Sequence, residues 1–256
     1  MSITKLKRIL ATGLGFFCFG FFGLFFQFGI FPTIILLVRN KELRHRIARK
    51  VISKVFNFFL CFLRLLGVIS WSTKNIELLQ RPGQLILSNH LTLIDVVFLF
   101  SFAPNASAII KASLSRNPFM WAAIKAAGYI TNDEGPRLID ECVSELKHGG
   151  SLIIFPEGTR TPPGIKPKIK RGAMAISLAS KVEPTIVHIT CEPLSLIKGN
   201  PWWNVPDESM FFTIEVCGQL NIEPYFDLYQ NDPPKATRAL AQEVYTSLFK
   251  HYDFFD

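Results

Sequence analysis

The distribution of apolar residues divides the chain into an N-terminal part and a longer body. Residues Ile9–Val38 contain no charged side chain over thirty positions, and only Thr12, Gln27 and Thr33 among them are distinctly polar. About twenty apolar residues in a helix cross a bilayer, so this stretch predicts a membrane-associated segment. It is longer than the apolar region of a signal peptide, and no clear small-residue cleavage site accompanies it.

Three basic residues precede this stretch and six follow it within the first fifty residues. Two arrangements agree with that charge: a single crossing that leaves the body in the cytoplasm, and a helical hairpin that enters one leaflet and returns. Residues 45–69 then combine an apolar face with basic side chains at three-to-four spacing, namely Arg46, Arg49, Lys50 and Lys54. The pattern predicts a basic amphipathic helix in the membrane interface, with a buried core helix as the alternative.

After Trp71, short apolar stretches alternate with helical ones. The predicted strands are Ile76–Leu79, Gln84–Ser88, Ala108–Lys111, Gly128–Ile130, Ser151–Phe155, Thr185–Cys191 and Phe212–Cys217. The predicted helices are Leu93–Ser101, Pro118–Ala127, Pro136–Lys147, Gly172–Ser180 and Lys235–His251. This alternation predicts an α/β fold with a mostly parallel sheet flanked by helices, preceded by the N-terminal membrane-associated helical pair.

Two polar motifs come directly after predicted strands, where active sites of such sheets gather. The first is Asn89-His90 with Asp95 five residues after the histidine. Two residues five apart within one helix lie about 140° apart and cannot pair. They can meet if His90 lies in the loop before a helix that Thr92 caps and Asp95 sits in its first turn. His90 would then be a general base oriented by Asp95, unless Asp95 only caps the helix.

The second motif is Pro156-Glu157-Gly158-Thr159-Arg160, which predicts an anion clamp. A glycine allows backbone N–H groups to approach an oxyanion, and arginine can bind a phosphate with two hydrogen bonds. We expect Glu157 to orient Arg160 or a hydroxyl. The two motifs together indicate an enzyme that deprotonates a hydroxyl on an anionic acceptor.

The distribution of charge along the chain narrows the range of possible binding partners. Residues 1–50 carry nine Lys or Arg and one acid, and the remaining chain is neutral, so the net charge of +8 lies at the N-terminus. A nucleic-acid-binding domain would carry the excess on its folded body. Here the charge flanks an apolar segment, which favours anionic lipid and no nucleic acid. The five scattered cysteines have neither metal-ligand nor redox spacing, so we expect reduced thiols and no metal site.

The motifs Asn89-His90-x4-Asp95 and Phe155-Pro156-Glu157-Gly158-Thr159-Arg160, in this order, resemble the glycerolipid acyltransferase family typified by 1-acylglycerol-3-phosphate acyltransferases. Val182–Val187 resembles a further block of that family, and the resemblance covers about residues 75–220. It implies residues 71–256 as an acyltransferase domain and residues 1–70 as membrane-anchoring helices. It also implies His90 and Asp95 as catalytic residues and Glu157, Gly158, Thr159, Arg160 and Lys111 as substrate-binding residues.

The resemblance further implies transfer of a fatty acyl group from acyl-CoA or acyl carrier protein to the hydroxyl of a lysophospholipid, with no cofactor. The expected acceptor is 1-acylglycerol-3-phosphate, and the expected location is the cytoplasmic face of a bacterial inner membrane. Bacterial relatives use an N-terminal helical pair to sit on the membrane, which agrees with the pattern of residues 9–69.

One block departs from the family. Where an arginine usually follows a Gly-apolar strand, this chain has Asn132 and Asp133, and the nearest arginine is Arg137. A different lipid acceptor is therefore an alternative, and a non-catalytic lipid-binding protein is a third hypothesis. A hydrolase is a further alternative, but the sequence contains no Gly-x-Ser-x-Gly motif, which forms the nucleophile elbow of many hydrolases.

The sequence leaves alternative roles for two predicted loops. The basic residues Lys166, Lys168, Lys170 and Arg171 suit CoA phosphates, an acidic carrier protein, lipid head groups or plain solvent. Trp202 and Trp203, in a predicted loop at 193–207, suit either the membrane interface or packing on the body.

Overall fold

The computed structural model describes residues 3–132 and 137–249 and contains a seven-stranded sheet. The strands are β1 (Ile69–Lys74), β2 (Leu85–Ser88), β3 (Ala106–Ile110), β4 (Ile130–Thr131), β5 (Ser151–Ile154), β6 (Pro184–Glu192) and β7 (Met210–Gln219). Their order across the sheet is β1-β7-β6-β2-β5-β3-β4. Neighbouring strands run parallel except β6 and β7, which run antiparallel. The predicted fold class is confirmed.

Helices cover both faces of this sheet. They are α1 (Ile3–Phe25), α2 (Phe31–Leu37), α3 (Lys41–Leu65), α4 (Asp95–Phe102), α5 (Ala112–Ser115), α6 (Trp121–Ala127), α7 (Arg137–Lys147), α8 (Gly172–Ser180), α9 (Phe226–Asn231) and α10 (Pro233–Phe249). A π-helical turn, Phe26–Ile30, joins α1 to α2 without a break. One apolar core, with Phe98 and Phe212 fully buried, lies between the sheet and helices α3, α4 and α6. The other, with Met174 and Leu240, lies under α7, α8 and α10.

Most predicted elements are present, and one error lies beside the edge strand β1. Gly172–Ser180 begins and ends as predicted, whereas Ile76–Leu79 is a 3₁₀ turn that buries only Leu79. Asn75 before it adopts a left-handed conformation with φ 54°, which interrupts an extended strand. Strand β1 was not predicted, because its polar residues Ser72–Lys74 are exposed at the edge of the sheet. The predicted ends at Pro136 and His251 lie outside the described residues.

The N-terminal helices form an antiparallel pair against the body. Helix α3 begins after Asn40, whose side chain accepts a hydrogen bond from the Leu43 N–H at 2.9 Å. Phe19 of α1 packs on Phe59 of α3 with ring centroids 4.9 Å apart. The continuous helix Ile3–Leu37 is long and apolar enough to cross a bilayer, by length and composition.

The prediction for α3 is wrong at Arg49, which was expected on an exposed basic face. Arg49 is 4% exposed. Its guanidinium forms a bidentate ion pair with Glu145 of α7 and donates to the Ala127 carbonyl at 2.7 Å. The reason is that helices α6 and α7 cover this side of α3, so a cation here needs a buried carboxylate. Arg46, Lys50 and Lys54 remain exposed.

Candidate active site

The predicted site residues share one edge of the sheet. Strands β2, β3 and β5 are parallel neighbours, with Leu87 opposite Ile154 and Ala108 opposite Ile153. Because the carboxyl ends of parallel strands meet at the same edge, the loops that follow them also meet there. The loop after β2 carries His90, the loop after β3 carries Lys111, and the loop after β5 carries residues 155–160.

His90 and Asp95 are in contact. The His90 Nδ1 and Asp95 Oδ2 atoms lie 3.1 Å apart, and the Asp95 side chain is fully buried while the His90 side chain is 14% exposed. The carboxylate only accepts hydrogen bonds, so His90 Nδ1 carries the proton and Nε2 keeps its lone pair. An imidazole in this tautomer can take a proton from a hydroxyl at the exposed edge.

The sequence folds this way because Asp95 closes a tight turn before α4. Asp95 Oδ2 accepts from the Leu91 N–H at 2.7 Å and the Thr92 N–H at 2.8 Å, and Oδ1 accepts from the Thr92 hydroxyl at 2.6 Å. The Thr92 Oγ1 in turn accepts from the Ile94 N–H at 3.2 Å. Asp95 therefore reaches back as predicted, but the predicted cap is wrong: α4 begins at Asp95, and its N-cap is Ile94, not Thr92. These bonds hold the carboxylate in position for His90.

Glu157 joins the two motifs. Its Oε1 accepts from the His90 backbone N–H at 2.7 Å, and its Oε2 accepts from the Thr161 hydroxyl. The Thr161 N–H donates to the His90 carbonyl at 3.1 Å, so the histidine backbone is bound on both sides. Burial raises the pKa of Glu157. The structure thus places Glu157 on the His90 backbone and a neighbouring hydroxyl, and gives it no contact with Arg160.

Phe155, the first residue of the Phe155–Arg160 motif, packs on the His90 imidazole, a role that the sequence pattern did not indicate. The His90 and Phe155 rings stack with centroids 4.1 Å apart and an interplanar angle of 24°. Phe155 follows the last residue of β5. A flat apolar neighbour on one ring face restricts the imidazole to its Asp95-facing orientation. The apolar run before Pro156 was visible in the sequence, but the stacking partner depends on how β2 and β5 pair.

Gly158 and Thr159 are exposed, and Arg160 is half-buried. Gly158 has φ 70°, a conformation that favours glycine, and the flexible end of the Lys170 side chain lies over it. Thr159 Oγ1 accepts from the Lys198 ammonium at 3.1 Å. Arg160 Nη1 donates to the Leu196 carbonyl at 3.0 Å.

Lys111 is exposed beside this edge, at the start of α5. Asn132, which follows β4, holds the same turn: its Oδ1 accepts from the Ala112 N–H at 3.1 Å and its N–H donates to the Ile110 carbonyl at 2.9 Å. Asn132 thus stabilises the Lys111 turn. Asp133 lies outside the described residues.

The family model described as Acyltransferase matches residues 70–192, which include both motifs. This part of the chain is similar to the acyltransferase family. It is 32% identical over 136 residues to the 1-acyl-sn-glycerol-3-phosphate acyltransferase of Helicobacter pylori, covering 50% of this chain and 56% of that protein. It is 30% identical over 139 residues to the protein of the same name from Pseudomonas aeruginosa, covering 51% and 53%. The chain spans about half the length of the curated relatives it matches.

The crystal structure of the 1-acyl-sn-glycerophosphate acyltransferase PlsC from Thermotoga maritima has the same fold as this chain. The TM-score is 0.70 at 20% sequence identity, and the match covers 98% of this chain and 100% of that one. The similarity in fold thus includes the N-terminal helices, which lie before the residues matched by the family model.

Two features of this site were not predicted. Lys198 and Leu196, in the loop after β6, contact the second motif from about forty residues further along the chain. The basic segment 166–171 partly joins the site, because Lys170 lies over Gly158, whereas the Lys166 ammonium lies 5.7 Å from the Tyr245 ring centre. Spacing in the sequence offers no signal for either contact.

Proposed function

We propose that this protein transfers a fatty acyl group from acyl-CoA or acyl carrier protein to the hydroxyl of 1-acylglycerol-3-phosphate. The observation that carries the proposal is the buried Asp95 carboxylate beside His90 Nδ1 at 3.1 Å, which leaves Nε2 as the base. The curated relatives are named 1-acyl-sn-glycerol-3-phosphate acyltransferases, which supports this acceptor.

The chemistry needs no covalent enzyme intermediate. His90 Nε2 removes the acceptor hydroxyl proton as the oxygen attacks the thioester carbonyl, forming the new ester bond. The C–S bond breaks, and the imidazolium returns the proton to the leaving thiolate. Asp95 stabilises the imidazolium between these two transfers, and residues 158–160 bind the acceptor phosphate.

Substituting the base tests this assignment. We expect His90→Ala to lower kcat by about 10²–10⁴-fold or more, because a positioned general base supplies acceleration of that size. Asp95→Asn should lower kcat as well, since it favours the wrong imidazole tautomer. Turnover of radiolabelled acyl donor by purified protein is the measurement.

His148→Ala is the matched control, because His148 is exposed on the turn after α7 and contacts only Ser144 among the described residues. It should keep full activity. Undiminished turnover in His90→Ala would remove the general-base mechanism. A lipid-binding protein without catalysis would show no turnover in the unsubstituted chain.

Asn132 suggests a second class of acceptor. It lies where the family usually has an arginine, and its side-chain oxygen already accepts a hydrogen bond from the Ala112 N–H. The acceptor would then be a lysolipid with a different head group. Activity can be measured with lysophosphatidate, zwitterionic lysophospholipids and lyso-aminolipids, each offered with acyl-CoA and with acylated carrier protein. This panel distinguishes the two acceptor classes. We expect lysophosphatidate to have the highest kcat/KM; a clear preference for another head group would replace the leading acceptor.

A further inference from the structure

The segment 193–207, here called the tryptophan loop, lies against the second motif. The Leu196 carbonyl accepts from Arg160 Nη1 at 3.0 Å and from the Leu93 N–H at 3.2 Å. Two residues later, the Lys198 ammonium donates to Thr159 Oγ1 at 3.1 Å. The loop therefore contacts the segment after His90 and the anion clamp at the same time.

The position of Lys198 is set by anchors on both sides of it. Leu196 is 6% exposed and has φ 56°, a conformation that a leucine keeps only where its surroundings impose it. Further along, Trp202 packs on Phe16 of α1 with ring centroids 5.9 Å apart. The Pro206 carbonyl accepts from Arg8 Nε at 2.9 Å. The loop is thus tied to the body and to α1, and Lys198 projects from a fixed segment.

Lys198 completes a cluster of three cations around Gly158–Arg160. Arg160 and Lys198 each bond to a neutral oxygen, and Lys170 lies over Gly158. No described carboxylate lies within salt-bridge distance of any of the three. The nearby Glu157 is buried and bonded to His90 and Thr161. Like charges held together without a counter-charge repel one another, and a bound anion removes that repulsion.

We propose that Lys198 binds the phosphate of the acceptor together with Arg160 and Lys170, and so determines specificity for a phosphate-bearing lysolipid. This inference rests on the proposed function. The ammonium has three N–H donors, and one of them serves Thr159, which leaves two for phosphate oxygens. The clamp adjoins the base, because Thr161 bonds directly to the His90 backbone.

Removing only the charge tests the proposal. Lys198→Gln keeps a donor for Thr159 and loses the cation, whereas Lys198→Arg keeps the cation. For Lys198→Gln, we expect KM for lysophosphatidate to rise on the order of ten-fold with kcat nearly unchanged, as loss of a charge-assisted hydrogen bond predicts. Lys198→Arg should stay close to the unsubstituted enzyme. Lys235→Gln, at an exposed position of α10, is the matched control.

Glycerol 3-phosphate provides an independent probe, since it carries the phosphate without the acyl chain. It should raise the melting temperature of the unsubstituted protein and of Lys235→Gln, and have a much smaller effect on Lys198→Gln. An unchanged KM together with undiminished stabilisation of Lys198→Gln would overturn the role of Lys198. If the unsubstituted enzyme does not acylate lysophosphatidate, the proposed function fails, and the melting experiment still decides whether Lys198 binds phosphate.

Discussion

At the scale of single residues, the site depends on two buried carboxylates with different tasks. Asp95 accepts four hydrogen bonds, one of them from His90. Glu157 holds the His90 backbone and the Thr161 hydroxyl, and burial raises its pKa. Asp95 therefore orients the His90 imidazole, and Glu157 ties the second motif to the His90 backbone.

Glu157→Gln should change the pH dependence of stability. The raised pKa means that the folded protein binds a proton more tightly than the unfolded chain does. Stability therefore falls as pH rises from the ordinary glutamate pKa of about 4.3 through the raised folded value. Glu157→Gln keeps an acceptor for the His90 N–H and cannot ionise, so the unsubstituted protein should lose stability relative to it across that window.

Denaturant unfolding from about pH 4 to about pH 7 measures this difference. Glu157→Ala is the comparison, because it leaves the His90 N–H and the Thr161 hydroxyl without their acceptor. It should cost about 1–3 kcal/mol for each unpaired group. A stability difference between the unsubstituted protein and Glu157→Gln that does not change with pH would contradict a raised Glu157 pKa.

At the scale of elements, short apolar runs between polar residues located the buried elements well. Helix α8 and the inner strands β2 and β5 were predicted almost to the residue, because their apolar runs are bounded by polar residues. Edge strand β1 was missed, since an edge strand buries few side chains. Arg49 was misassigned, because its partner Glu145 lies 96 residues further along the chain.

At the scale of the whole molecule, the long N-terminal helix lies along the body. Arg8 donates to the Pro206 carbonyl, Phe16 packs on Trp202, and the Gln27 amide donates to the Pro118 carbonyl at 2.8 Å. The opposite face is apolar and exposed, with Phe17 and Phe21 more than half exposed. An apolar face of this size marks a membrane or protein contact. Contacts spread over the helix from residue 8 to residue 27 favour insertion into one leaflet over a single crossing.

Labelling from one side of the membrane tests this arrangement. We expect Lys5→Cys and Lys41→Cys, each introduced into a variant whose only native cysteine is the exposed Cys217, to react with an impermeant maleimide from the same side as Cys217. Both ends of a helix inserted into one leaflet stay on the side of the body. Reaction of positions 5 and 41 from opposite sides would establish a single crossing. Lys74→Cys, in the exposed end of β1, is the control for the body.

The sequence by itself determined the fold class, the order of most elements and the motifs around His90 and Glu157, because these follow from periodicity and from residues close together in the chain. Asp95 reaches His90 through a turn of a few residues, so local spacing sufficed to predict that contact. Only the tertiary structure decided the burial of Arg49, the stacking of Phe155 on His90 and the approach of Lys198 to Thr159. Each of these contacts joins residues distant in the sequence, and their meeting depends on how strands and loops pack in space.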